Sequence, residues 1–188
     1  QPLGRGRTLA LVDLPGLGSE RLLPGGSSTA PAGTLAADPR QLANGLVRAS
    51  FDRAGRLAAL HVDGSELPLA GPAGLALYDD QPANFDAWDI DHHALRRPLA
   101  GHPATRLRVV EAGPVRAVLR GEARLGAASH VAISWIVEAG SPWLQVELDI
   151  DWRESHRLLK FHCPTAFRGR HARFGAPFGA VARPQQPG

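Results

Sequence analysis

The chain has 188 residues, 44% of them hydrophobic, a single cysteine and a formal net charge of +3. That length suits one domain with a sizeable core. One cysteine excludes an internal disulfide and a thiolate-rich metal site, and no run of eighteen apolar residues offers a membrane-spanning helix, so no membrane partner is expected. All the basic residues except Lys160 are arginine, scattered among acidic ones. This argues against a nucleic-acid partner despite a pI of 9.9. The opening QPLGRGRTLALVDLPG lacks the apolar core of a secretory signal, so a cytoplasmic location is expected. Methionine is absent even at position 1, and both ends read as arbitrary; the sequence is expected to be cut from a longer chain.

Residues 1–43 are punctuated by proline and glycine and read as a lead-in. TLALVDL (8–14) reads as one strand, and LLPGGSSTAPAGT (22–34) as a linker. From residue 44 to 188 the character is that of a β-sandwich. LVRASFD (46–52) and RLAALHV (56–62) alternate apolar and polar around DRAG, the signature of a hairpin. LYDDQPANFDAWDID (77–91) follows, with Pro82 and Asn84 marking irregular backbone.

Five long strands are then predicted, at 105–112, 115–125, 130–138, 143–152 and 156–163, separated by short turns. In 143–152, Leu144, Val146, Leu148, Ile150 and Trp152 point one way, while Gln145, Glu147, Asp149 and Asp151 point the other. One buried and one wet face are expected there, as in a sandwich meander. No stretch carries a helical period. The fold class predicted is all-β, a large antiparallel sandwich.

Most candidate chemistry has a plain structural reading. The acidic residues of 143–152 and Arg116, Arg120, Arg124, Arg157 and Lys160 read as cross-strand charge pairs on a solvated face, with a sugar-binding face as the alternative. His61-Val62-Asp63 mimics a metal pair but lacks the further ligands zinc needs; it reads as a strand end followed by an Asp-Gly turn. His92 and His93 are neighbours and cannot easily join one site. No role attaches to His156, His162 or His171, and Cys163 beside His162 is not a nucleophile–base pair. No nucleophile elbow, phosphate loop, zincin or calcium-loop pattern occurs.

The aspartate-rich stretch is harder to set aside. Its spacing, without a glycine turn or a bidentate glutamate, does not suit calcium. Carboxylates around an aromatic suit a sugar instead: they accept bonds from hydroxyls, and an indole covers the apolar face of a pyranose. Asp86, Trp88 and Asp89 are therefore candidate substrate-facing residues, with loop structuring as the competing reading.

Taken together, NGLVRASFDRAGRLAALHVDG (44–64), LALYDDQPANFDAWDID (75–91), EAGPVRAVLRGEARLG (111–126), SPWLQVELDIDWRESHRLLKFHCP (141–164) and APFGAVARP (176–184) resemble the C-terminal β-domain of glycoside hydrolase family 38 α-mannosidases. The likeness is greatest to the bacterial and cytosolic branch and covers roughly 40–184. The hairpin is shared with many galactose-mutarotase-like domains; the FDAWDID and DWRESHRLLK phrases are the specific ones.

The resemblance implies a supersandwich, truncated at its C-terminal end. It also implies a parent that is a retaining exo-α-mannosidase acting on terminal mannose of a glycan. In that family a zinc ion grips the mannose, one aspartate is the nucleophile and another acid protonates the leaving oxygen. Zinc and both carboxylates are implied to lie in an N-terminal catalytic domain of the same chain. No catalytic residue and no metal ligand is therefore assigned to residues 1–188. The isolated fragment is expected to bind no cofactor and to be inactive. Unpaired sheet edges invite self-association, so a homo-oligomer is among the expected partnerships. The alternatives are a stand-alone carbohydrate-binding sandwich and a mutarotase-like epimerase; the latter needs a His and a Glu converging in one cleft.

Overall fold

The computed structural model describes residues 1–14, 16–19, 21, 35–85, 88–99, 103 and 105–185; the linker expected at 22–34 lies outside them. An N-terminal hairpin of β1 (Pro2–Gly4) and β2 (Arg7–Thr8) comes first. The expected strand at 8–14 is limited to Thr8. A strand needs a partner for its backbone groups, and among the described residues the lead-in beyond Thr8 is paired at Leu9 alone, whose N–H donates to the Gln1 carbonyl and whose carbonyl accepts from the Gln1 amino group, both at 2.8 Å. Leu11 and Leu14 are exposed.

The first layer is a five-stranded antiparallel meander: β3 (Ala36–Asp38), β4 (Gln41–Ala43), β5 (Val47–Phe51), β6 (Leu57–Val62) and β7 (Ser65–Glu66). The predicted hairpin is β5–β6. Its turn is built by Asp52, whose Oδ1 accepts from the N–H groups of Ala54 and Arg56, both at 2.9 Å, while Oδ2 accepts from Arg56 Nε at 2.8 Å. Burial pushes the Asp52 carboxyl up, but these Arg56 and Ala54 bonds outweigh it and hold the group below its ordinary value. The Asp63-Gly64 turn between β6 and β7 has both residues at positive φ, 49° and 76°. That is the geometry a two-residue primed hairpin turn requires.

Strand β8 (Gly74–Asp79) begins at a bridge to β6, Leu57 to Ala73. The second layer is a four-stranded meander of β9 (Arg108–Ala112), β10 (Arg116–Leu125), β11 (Ser129–Glu138) and β12 (Gln145–Asp151). The meander predicted from the short turns is therefore present up to β12. The next strand, β13 (Arg157–His162), leaves it and pairs antiparallel with β8. A last hairpin joins β14 (His171–Ala176) and β15 (Gly179–Pro184). The only non-strand element among the described residues is a 3-10 turn at Ala94–Arg96. The fold is thus an all-β sandwich of several antiparallel sheets.

The core lies between the two layers. Leu42, Val47, Ala49, Phe51 and Leu57 face Leu107, Ala117, Leu119, Ile133, Trp135 and Val137. Trp135 is 1% exposed and meets the ring of Phe51 at 5.0 Å and that of Phe161 at 6.0 Å. Asn44 adds a polar tie between the layers: its amide nitrogen donates to the carbonyls of Glu138 (2.6 Å) and Ser141 (2.7 Å).

One expectation about burial fails. The alternation of 143–152 assigns the two faces of β12 correctly, since Val146, Leu148 and Ile150 stand opposite Trp135, Ile133 and Val131. Yet every residue of β12 is exposed. β12 is an edge strand, and no layer covers its apolar side among the described residues.

Candidate functional site

The stretch at 77–91 starts as strand and ends as loop. Within β8, Leu75, Ala76 and Leu77 are buried. Asp79 closes the strand against β13: Arg157 Nη1 donates to Asp79 Oδ1 at 2.6 Å, and the Asp80 N–H donates to the His156 carbonyl at 3.0 Å. The β8–β13 pairing therefore joins LALYD (75–79), which leads into this loop, to RLLKF (157–161), distant in sequence.

Beyond Asp80 the chain forms an open loop. Phe85 is held at φ 57°, a strained position for a bulky side chain. Its carbonyl accepts from the N–H groups of Trp88 (2.9 Å) and Asp89 (3.2 Å). Asp91 clamps the loop shut: its Oδ2 accepts from the Ala83 N–H at 2.9 Å and lies 3.8 Å from His93 Nε2. The Asp91 carbonyl accepts from the N–H of Ala94, itself buried at the start of the 3-10 turn.

The candidates fare differently in this loop. Trp88 is 91% exposed and packs under nothing among the described residues. Asp89 turns one oxygen back onto the Ile90 N–H at 2.8 Å. Asp86 lies outside the described residues.

Asp79 and Asp91 serve the backbone and Arg157, so their role here is structural. Spacing gives Asp80 no role, yet its Oδ1 is shielded with no hydrogen-bond partner among the described residues, a costly condition for a carboxylate. Arg157, which ties β13 to the end of β8, reads from sequence only as one charge among many. Its partner lies 78 residues away, beyond the reach of spacing arguments.

The other candidate face, the outer surface of β9–β12, is a lattice of charge pairs. Arg116 and Glu111 form a two-pronged pair at 2.9 and 3.0 Å. The hydrogen bond to Glu111 outweighs burial and raises the guanidinium above its ordinary value. Arg120 reaches Asp149 at 3.8 Å and Glu122 at 3.9 Å. With the partners of Arg120 this solvated, each such pair is worth about 0–1 kcal/mol. A shallow cavity of about 370 Å³ runs between Arg120, Arg124, His130, Asp149 and Asp151.

His61 sits on β6 with Nε2 4.0 Å from Glu66, while Asp63 lies in the turn beyond the strand. Among the described residues no three His, Cys, Asp or Glu side chains gather so as to hold a metal ion. These residues do not fit a zinc centre.

The profile of the Glycosyl hydrolases family 38 C-terminal domain matches residues 42–188. The chain belongs to glycosyl hydrolase family 38. Curated relatives agree. Alpha-mannosidase 2C1 of Homo sapiens is 29% identical over 96% of this chain, and the Mus musculus protein of the same name is 31% identical over 76% of it. Alpha-mannosidase G of Dictyostelium discoideum is 27% identical over 75% of it. The chain spans only 19%, 14% and 13% of these proteins, respectively. The family 38 match begins within β4 and includes the 77–91 loop, the first layer from Leu42 onward, the second layer and the final hairpin.

Proposed function

We propose that this chain is a β-domain portion of a retaining exo-α-mannosidase that hydrolyses terminal α-D-mannose residues of glycans. In this reading the domain is itself non-catalytic and supports a zinc-containing N-terminal catalytic domain of the same chain. The loop carrying Asp86, Trp88 and Asp89 borders the substrate. The observation that carries the proposal is the family 38 C-terminal match over 42–188, with three relatives named α-mannosidases of which the chain spans less than a fifth.

Two features of the loop support its part in this reading. Retaining glycosidases place two carboxyl groups about 5–5.5 Å apart across the bond they cleave. Here Asp79 is engaged by Arg157 and Asp91 by the Ala83 N–H, which makes them poor choices for an acid and a nucleophile. Trp88, by contrast, offers an open indole face to whatever lies opposite.

The experiment is a rate measurement on an α-mannoside with a chromogenic leaving group, for the enzyme that contains this domain and for residues 1–188 alone. The whole enzyme is expected to turn over and to lose activity with a chelator, and residues 1–188 to show no turnover. Turnover by 1–188 alone, or chelator-insensitive activity of the whole enzyme, overturns the corresponding half of the proposal.

A further inference from the structure

The loop that carries Trp88 and Asp89 leaves β8 at Asp80 and returns along the opposite edge of the same strand. On the return, the Arg97 carbonyl accepts from the Asp79 N–H (3.0 Å), Pro98 bridges Tyr78, and the Leu99 N–H donates to the Leu77 carbonyl (2.9 Å). The outgoing end is held by a side chain. Arg157, the first residue of β13, stands directly opposite Asp79, the last residue of β8. Its Nη1 donates to Asp79 Oδ1 at 2.6 Å and to the His156 carbonyl at 2.8 Å. The Asp80 N–H donates to that same carbonyl at 3.0 Å. A single nitrogen thus closes a ring: Asp79 carboxylate, Arg157, His156 carbonyl, Asp80 N–H, and back along the chain to Asp79.

The ring holds an unusual backbone. His156 stands at φ 52°, a region that few residues other than glycine adopt. Such a conformation persists where its surroundings over-determine it, and here two donors converge on its carbonyl. The ring adds little to global stability, because the core lies between the two layers and a partly exposed ion pair contributes weakly. What it fixes is direction, at the point where the loop departs. Inside the loop, the Phe85 carbonyl holds the Trp88 and Asp89 N–H groups, and Asp91 holds that of Ala83. A change of direction at Asp80 therefore carries Trp88 with it.

We infer that Arg157 is a positioning residue for substrate: through Asp79 and the His156 carbonyl it sets where the 80–91 loop places Trp88 beside the sugar. This rests on the reading that the loop borders the substrate. An indole wall binds a mannoside in its ground and transition states alike, so its displacement raises KM and leaves kcat nearly unchanged. A role in stability alone does the reverse, lowering the fraction of active enzyme and with it the apparent kcat.

Steady-state kinetics of the whole enzyme on a chromogenic α-mannoside test this, with Trp88→Ala, Arg157→Ala, and the two combined. Asp79→Asn, which removes the charge and keeps the shape, reads the same ring if Arg157→Ala does not fold. Trp88→Ala, Arg157→Ala and Asp79→Asn are each expected to raise KM about threefold to tenfold. The combined variant is expected to match the larger single effect, since residues acting through one contact are not additive. Arg157→Lys is expected to recover part of the loss, because one nitrogen makes both contacts. If Trp88→Ala leaves kcat/KM unchanged, the loop does not border the substrate, and both readings fall. If Trp88→Ala raises KM while Arg157→Ala and Asp79→Asn do not, the loop reading stands and the positioning role is overturned. Effects of Arg157 and Trp88 that multiply, or a lower kcat at constant KM, also overturn it.

Discussion

Asn44 is the residue that most directly ties the two layers. It is 4% exposed, and its side chain is fully engaged. The amide donates twice across to the Glu138 and Ser141 carbonyls, while Oδ1 accepts from the N–H groups of Leu46 (3.0 Å) and Val47 (2.7 Å). Asn44→Ala would strand two carbonyls and two N–H groups, each costing about 1–3 kcal/mol where water cannot reach. Part of this is recovered by solvent, so the expected loss is about 2–4 kcal/mol in urea unfolding; a loss below about 1 kcal/mol would show that the layers do not depend on it. Trp88 is the opposite case. At 91% exposure its side chain has no packing to lose, so Trp88→Ala should change stability by no more than about 0.5 kcal/mol. If the loop borders the substrate, the same change should lower kcat/KM of the whole enzyme. A large fall in melting temperature with an unchanged rate would make Trp88 a packing residue instead.

At the level of elements, the turn between β10 and β11 depends on a carboxylate from beyond β12. Glu154 Oε1 accepts from the Ala128 N–H (2.7 Å), the Ser129 N–H (3.1 Å) and the Ser129 hydroxyl (3.3 Å). The Ala128 bond, with those from Ser129, holds the carboxyl below its ordinary value against a smaller opposing effect of desolvation. A carboxyl whose pKa is lower folded than unfolded stabilises the fold above its unfolded value, about 4.3, and loses that contribution as pH falls through the folded value. Glu154→Gln should therefore melt below the parent at pH 7, and the gap should close on acidification below about pH 4. A gap independent of pH would refute the ionic account. This contact joins segments 25–26 residues apart, and such distances mark where the sequence stops being legible. The long strands β10, β11 and β12 and the β5–β6 hairpin are readable because alternation and turn residues are local signals. β8 is not legible that way: its first four residues are all buried and so do not alternate, and its partner β13 lies some 80 positions on. Strands β3 and β4 have three residues each, too few for a pattern to show, and half of β14 and of β15 is alanine or glycine, which carries little alternation. For β12 the pattern names the two faces; whether anything covers them depends on other segments. In the loop, sequence pointed to Asp86, Trp88 and Asp89, whereas Asp79 with Arg157 and the shielded oxygen of Asp80 are legible only in three dimensions.

Over the described residues as a whole, the sandwich is closed at its centre and exposed along β12, so its cohesion concentrates where the layers touch. Trp135 is that place, packed between Phe51 of the first layer and Phe161 of β13. Its ring brings a large apolar area into the core, together with a liability: the indole N–H is buried with no partner among the described residues. The two effects separate by substitution. Trp135→Ala removes the ring and leaves a cavity between the layers, and should cost about 3–5 kcal/mol. Trp135→Phe leaves a smaller cavity and also removes the unpartnered donor, whose burial alone costs about 1–3 kcal/mol. The phenylalanine variant should therefore lose far less than the alanine variant, about 1 kcal/mol or less after the two contributions offset. Unfolding of both variants, followed by circular dichroism in urea, checks the pair. If Trp135→Phe costs nearly as much as Trp135→Ala, the indole nitrogen is satisfied in solution and the junction between the layers is polar as well as apolar.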